Sequence, residues 1–355
     1  TAFGQKVDSL YLVQHYDLAE YHIPMRDGVE LFTVVYTPRD TSTQYPFLMN
    51  RTCYNASRQT NFQVSGYPSD YLVRDGYILV FQDVRGRYMS DGTFDNMRPN
   101  IPGNNPRDKE AIDESSDTWD TIEWLLKNIP NNNGKVGMFG ISYPGFYAAA
   151  ALPDAHPALK ASSPQAPIAD FFFDDFHHQG AYLQSYTAAF AVFGYQKTER
   201  TREPWYRDKL MRFYEAPAAD GYDFHLAQGP LKNITEKYHH DNFFWKQIIS
   251  HPNYDEFWQK RNILPHLKGI DHAVMTVGGW FDAGDFDIRT QTQYAVVQSL
   301  VHIWEIFGLD RDETMIDQAK RYVDMHHPDG KPDLLQQIEH GVLALIAQHR
   351  AVGHA

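Results

Sequence analysis

The chain has 355 residues, 43 % of them hydrophobic, which excludes a disordered polypeptide and suffices for one large domain carrying a sizeable insertion. Thirty-two basic against 45 acidic side chains leave a net charge of −13 without a Lys/Arg run, which argues against nucleic acid or an anionic membrane as partner and suits a neutral or cationic small molecule. Cys53 is the one cysteine, so an intramolecular disulfide and a Cys-based zinc site are excluded, and the residue reads as a small packed side chain.

The N-terminus lacks the basic-then-apolar pattern of a signal peptide, and a chain that opens on Thr1 fits either a signal already removed or a fragment. No later stretch approaches the ~20 apolar residues of a membrane span. Residues 21–24 and 29–36 are β-rich runs around Arg26-Asp27-Gly28 and predict an opening hairpin. Short apolar runs at 47–52 and 77–82 predict strands buried in a mostly parallel sheet. A helix is expected over 117–128, where Trp119, Ile122, Leu125 and Leu126 recur at helical spacing before Pro130 and Gly134.

The next element carries the chemistry. An apolar run, 135–139, leads into Gly140-Ile141-Ser142-Tyr143-Pro144-Gly145, and an Ala-rich helical run, 146–152, follows. Small residues flank the serine because a sharp strand-to-helix turn has no room for side chains, and the turn holds the Ser142 hydroxyl at the positive end of a helix. Such a serine points to nucleophilic hydrolysis. Residues 159–162 and 272–277 predict two further strands, the second running into Gly278-Gly279-Trp280-Phe281-Asp282. Between them, 168–267 is aromatic-rich and largely helical and reads as a cap inserted into an α/β domain. Its Phe171-Phe172-Phe173 and Phe243-Phe244-Trp245 clusters are expected in a core. Asp282, just past the late strand, sits where a serine hydrolase of α/β type carries its triad acid.

Asp83-Val84-Arg85-Gly86-Arg87, the 140–145 turn and Gly278-Gly279-Trp280-Phe281-Asp282, in this order, resemble the Xaa-Pro dipeptidyl-peptidase, cocaine esterase and α-amino-acid ester hydrolase family over about residues 20–282. The resemblance implies an α/β-hydrolase sheet, Ser142 as nucleophile and Asp282 as acid. It further implies oxyanion donors at the Tyr143 backbone N–H and at the hydroxyl of Tyr54, in Arg51-Thr52-Cys53-Tyr54-Asn55. Both positions agree with the fold's habit of drawing its oxyanion hole from the residue after the nucleophile and from a loop after an early strand. Family members that act on amino acids need acidic groups for the substrate ammonium, and Asp174-Asp175 and Asp255-Glu256 are the candidates in the cap. By the same resemblance the protein is expected in the periplasm or secreted.

After Asp282 the pattern departs. The Gly-Pro-Trp-x-His segment that would bring the triad histidine has no counterpart, and His302, His326, His327, His340 and His349 lie in helical or loop contexts unlike it. Instead, Gly279-Trp280-Phe281-Asp282-Ala283-Gly284-Asp285, a helical run over 290–307 and the segment from Asp329 to Ile338 resemble the opening of a family-nine glycoside hydrolase domain, over about 278–355. There Asp282 and Asp285 would act on the attacking water, while a general acid must come from the far side of an (α/α)6 barrel that the chain does not reach.

The expected organisation is an α/β-hydrolase core over 1–167, a helical cap over 168–267, an acid-bearing strand and loop over 268–285, and a helical glycosidase-like segment over 286–355. The expected function is a serine hydrolase of small esters, amides or short peptides, impaired for want of a base unless His326 or His327 supplies one. The alternatives are a glycosidase fragment using Asp282 and Asp285, or a non-catalytic fusion fragment. The reading calls for no cofactor and no metal, since the histidine pairs 177–178, 239–240 and 326–327 are adjacent in sequence and no H-E-x-x-H run occurs. It leaves a homo-oligomer open.

Overall fold

The computed structural model describes residues 9–57, 70–103, 110–178, 181–214, 220–275, 297, 300, 301, 304, 305, 308, 310–317, 322–324 and 327–351. The chain divides into two compact units, residues 1–275 and 276–355, so the division falls inside the 268–285 segment assigned to the core from sequence.

The first unit is built on a seven-stranded sheet. Its strands are β1 (Tyr16–Pro24), β2 (Glu30–Pro38), β3 (Tyr45–Thr52), β4 (Ile78–Asp83), β5 (Asn132–Ile141), β6 (Leu159–Gln165) and a two-residue β9 (Ala273–Val274). Their order across the sheet is β1-β2-β4-β3-β5-β6-β9. The β1–β2 hairpin is antiparallel, as its Arg26-Asp27-Gly28 turn implied, and β2 runs antiparallel to β4. From β4 onward every pairing is parallel, which is the mixed sheet of α/β-hydrolase type expected from sequence.

The central strands read as continuous apolar runs because both sheet faces are covered. On one face Leu31, Val35, Met49, Val80 and Met138 pack with Ile122 and Leu125 of α3 (Glu114–Asn128) and Phe146 and Tyr147 of α4 (Tyr143–Ala150). On the other, Phe32, Val34, Tyr36, Leu79 and Phe81 pack with Leu12 of α1 (Ser9–His15) and Val73 of α2 (Asp70–Arg74). Helix α3 begins three residues before the expected start because Asp113 caps it, accepting from Ser116 N at 2.8 Å while Ser116 Oγ accepts from Asp113 N.

Between β6 and β9 the chain is mainly short helices. A π-turn (Phe172–Phe176) leads into a ribbon of β7 (His177–His178) and β8 (Ala181–Tyr182). Then come α5 (Ala189–Phe193), α6 (Arg207–Tyr214), α7 (Gly221–Gln228), α8 (Leu231–Ile234), α9 (Phe243–Ser250) and α10 (Glu256–Gln259). The aromatic clusters behave as core: Phe171, Phe172, Phe176, Phe190, Phe244, Trp245 and Trp258 are buried, whereas Phe173 is exposed.

In the second unit, β10 (Met315–Asp317) pairs antiparallel with β11 (Tyr322–Asp324), and α11 (Asp333–Ala351) follows. The Asp333 carboxylate accepts from the backbone N–H of Glu313 and of Thr314, pinning the start of α11 to the segment before the ribbon. Among the described residues no helix is long and apolar enough to cross a membrane.

Candidate active site

Parallel strands put the C-terminal ends of β3, β4, β5 and β6 along one edge, where an open α/β sheet holds its ligand. Ser142 stands at the end of β5 with φ 61° and ψ −124°, a left-handed backbone that a non-glycine residue adopts only when its surroundings force it. The forcing groups are identifiable. Ser142 N donates to Gln165 O of β6 at 3.0 Å, and Ser142 O accepts from Phe146 N at 3.0 Å as α4 starts. A Cβ on Gly140 would lie 2.0 Å from Pro144 O, and one on Gly145 would lie 2.6 Å from Gln165 O. Both glycines of the G-x-S-x-x-G pattern are thus required for strand and helix to meet this closely. Ser142 is exposed at the turn.

Tyr143 is the first residue of α4, where a backbone N–H has no acceptor within the helix. Its side chain is fully buried, accepting from Met97 N at 2.9 Å and donating to Asn96 Oδ1 at 3.1 Å. Burial holds its phenol well above the ordinary value. Tyr54 follows β3 and is 36 % exposed as a residue. Burial above all, then the Cys53 thiol, pushes its phenol well above the ordinary value, with Arg87 opposing and Asp175 reinforcing. The hydroxyl therefore stays protonated and available as a donor. Cys53 is completely buried and its thiol is pushed up to about 12 by burial, which makes it a packed side chain as its sequence context indicated.

The loop bearing Tyr54 is held on three sides. Arg87 Nε donates to Cys53 O at 3.1 Å, Asn55 Nδ2 donates to Arg202 O at 2.7 Å, and Ala56 N donates to Asp83 Oδ1 at 2.6 Å. Asp83, Arg85 and Arg87 all belong to the Asp83-Val84-Arg85-Gly86-Arg87 string, which sequence reasoning used only as a family mark. Arg85 pairs with Asp117 of α3 and with Asp27 of the β1–β2 turn, each at 2.6 Å. Gly86 at φ +74° is indispensable, since a Cβ there would lie 2.1 Å from Phe94 N.

The four acidic candidates for an ammonium site separate. Asp174 Oδ2 accepts from Ala169 N and Asp170 N at 2.7 and 2.8 Å, closing a turn. Asp255 caps α10 through Phe257 N and pairs with His251 at 2.7 Å, and Glu256 pairs with Lys260 at 2.7 Å. Asp175 contributes to holding the Tyr54 phenol above its ordinary value. Asp282, Asp285, His302 and His326 lie outside the described residues. His327 is exposed and its backbone N donates to Glu313 O, and His340 is exposed on α11. Among the described residues no side chain hydrogen-bonds the Ser142 hydroxyl.

The sequence profile of the X-Pro dipeptidyl-peptidase (S15) family matches residues 27–304, some twenty residues beyond Asp282 and into the segment that sequence likened to a glycosidase. The cocaine esterase of Rhodococcus sp. (strain MB1 Bresler) is 28 % identical over 269 residues, 73 % of this chain and 43 % of that protein. An aminopeptidase from the marine sediment archaeon Thaumarchaeota archaeon superposes with a TM-score of 0.64 at 32 % identity, covering 85 % of this chain and 47 % of that one. An α-amino acid ester hydrolase gives 0.62 at 30 % identity, over 87 % and 48 % of the two chains. The chain thus spans about half the length of these relatives. With the family profile covering well over half of its residues, the chain belongs to the X-Pro dipeptidyl-peptidase (S15) family of hydrolases.

Proposed function

We propose that the chain acts on small esters or amides by forming an acyl-enzyme at Ser142. The observation that carries this reading is the strained Ser142 turn at the C-terminal edge of the sheet, with Tyr143 N–H beside it in sequence and the Tyr54 loop on the neighbouring strand β3. Attack of Ser142 Oγ on the carbonyl carbon would put negative charge on the carbonyl oxygen, and donors fixed before the reaction stabilise that charge without reorganising. Collapse of the intermediate would release the alcohol or amine, and water would then free the acid.

The finer reading is an α-amino-acid ester hydrolase or an X-Pro dipeptidyl-peptidase, with Asp282 as the acid. Asp174, Asp255 and Glu256 are engaged in a turn, a helix cap and an ion pair, and Asp175, whose charge helps raise the Tyr54 phenol, is the acidic candidate favoured to hold a substrate ammonium. Residues 1–355 carry no Gly-Pro-Trp-x-His segment, so a polypeptide of these residues alone is expected to be slow, resting on the oxyanion donors and binding, which in serine proteases stripped of a triad member still give roughly a thousandfold over water.

Labelling with a fluorophosphonate tests the reading. The full chain should take up the probe and Ser142→Ala should not. Equal or absent labelling in the two proteins overturns the serine-hydrolase reading.

A further inference from the structure

The two residues read as oxyanion donors come from distant parts of the chain, yet both are tied to the same short helix. At the C-terminal end of α5, the carbonyls of Val192 and Phe193 are each taken by a fully buried polar side chain. Arg87 Nη1 donates to Val192 O at 3.0 Å while its Nε donates to Cys53 O at 3.1 Å, the carbonyl next to Tyr54. Asn96 Nδ2 donates to Phe193 O at 3.0 Å while its Oδ1 accepts from the Tyr143 hydroxyl at 3.1 Å. One side chain therefore joins α5 to the Tyr54 loop and the other joins it to Tyr143.

The surrounding side chains keep both links rigid. The Arg87 guanidinium lies over Trp205 and Phe94 at 4.6 and 4.8 Å from the ring centres, so its fork has little freedom. Arg261 Nε donates to Asn96 O at 3.2 Å and pairs with Asp95 at 3.1 Å, fixing the turn that carries Asn96. Phe193 packs against both tyrosines, with its ring 6.0 Å from that of Tyr54 and 5.3 Å from that of Tyr143. A helix C-terminus is the negative end of the peptide dipoles, which favours a guanidinium there.

We propose that Arg87 and Asn96 are positioning residues that set both oxyanion donors from the seat of α5, so that a shift of this helix end misaligns the hole as a unit. The inference rests on the oxyanion roles proposed above for Tyr54 and Tyr143. It differs from simple adhesion between helix and sheet, since breaking an adhesive link on one side would leave the other donor in place.

The test uses the full chain and two variants outside the reacting atoms. Tyr143→Phe keeps the backbone N–H and removes only the hydroxyl that reaches Asn96. Arg87→Lys keeps the buried charge and removes the fork that spans two carbonyls. Phosphonylation of Ser142 is followed against probe concentration, and in each variant the limiting rate should fall at least about tenfold with the half-saturating concentration within about threefold, as expected when an oxyanion donor is misplaced. Limiting rates equal to that of the unaltered chain, in variants with unaltered circular dichroism, overturn the proposal. Backbone hydrogen exchange separates this result from failure of the serine-hydrolase reading. If the unaltered chain is not labelled, that reading falls, and faster exchange at 94–97 as well as 53–57 in Arg87→Lys, and at 53–57 as well as 94–97 in Tyr143→Phe, still supports the coupling. Exchange altered only along the substituted residue's own link, with the segment of the other donor unchanged, overturns it.

Discussion

A carboxyl and an imidazole, each buried, give the chain opposed responses to pH. Asp83 is completely buried at the end of β4, where burial pushes its carboxyl from 3.8 up to about 7 against the pull of the Ala56 and Met89 N–H groups and of Arg87. Across that window the folded chain keeps a proton that the unfolded chain has lost, so the Asp83 contribution to stability falls as pH rises. His239, between Thr187 O and Asn242 Nδ2, is held down to about 4 from 6.5 by burial. Below 6.5 the unfolded chain gains a proton that the folded one refuses, so this contribution is lost as pH falls. The two slopes oppose each other between pH 4 and 6.5. Removing one group exposes the other. In urea unfolding, Asp83→Asn should lose stability as pH drops from 6.5 towards 4, and His239→Gln should lose it as pH rises from 4 towards 7, each by up to about 1.4 kcal/mol per pH unit. Variants whose slopes match the unaltered chain would show that neither group is desolvated as described.

Helix α3 shows how charge fixes an element. Its first turns bury Glu114, Asp117 and Thr118, where Arg51 pairs with Glu114 at 2.9 Å and Arg85 grips Asp117 through Nε and Nη2 at 3.1 and 2.6 Å. These groups bridge α3 to β3, which leads into the Tyr54 loop, and to the turn after β4, which carries Arg87. Asp117→Asn would leave Arg85 and Arg51 buried with less than their share of negative charge, and should cost about 3–5 kcal/mol in urea unfolding. Asp17→Asn, which breaks the exposed Arg39–Asp17 pair, should stay within about 1 kcal/mol. The contrast explains what could be read from the sequence. Apolar runs predicted the six longer strands, and hydrophobic spacing predicted the later part of α3, because those signals are local. The serine turn was legible for the same reason, since Gly140 and Gly145 are demanded by atoms only a few residues away or on the adjoining strand. Arg51, Arg85, Arg87 and Asn96 were not, because charged and polar side chains ordinarily mark a surface. Their side-chain hydrogen bonds reach partners up to 105 residues away, as for Arg87 and Val192, and only the fold brings them together.

At the scale of the whole molecule, the question is whether the machinery around Ser142 has a base. Unit 1, residues 1–275, holds the serine turn and both proposed oxyanion donors, whereas Asp282 and the histidines from His302 onward fall in the sequence of unit 2. The family profile ends at residue 304, and no Gly-Pro-Trp-x-His segment appears after it. A histidine base imprints its own titration on the rate: labelling of Ser142 would rise as the imidazole loses its proton and level off above an ordinary histidine pKa of about 6.5. A serine without such a base depends on the small fraction of alkoxide, or on hydroxide, so the rate should climb by about tenfold per pH unit through neutrality with no plateau. For a polypeptide of residues 1–355 alone we expect the second profile in fluorophosphonate labelling of Ser142 between pH 5.5 and 8.5, at about the same slope in His326→Ala and His327→Ala. A plateau near neutrality that either substitution abolishes would identify that histidine as the base, its imidazole held within hydrogen-bond reach of the Ser142 hydroxyl.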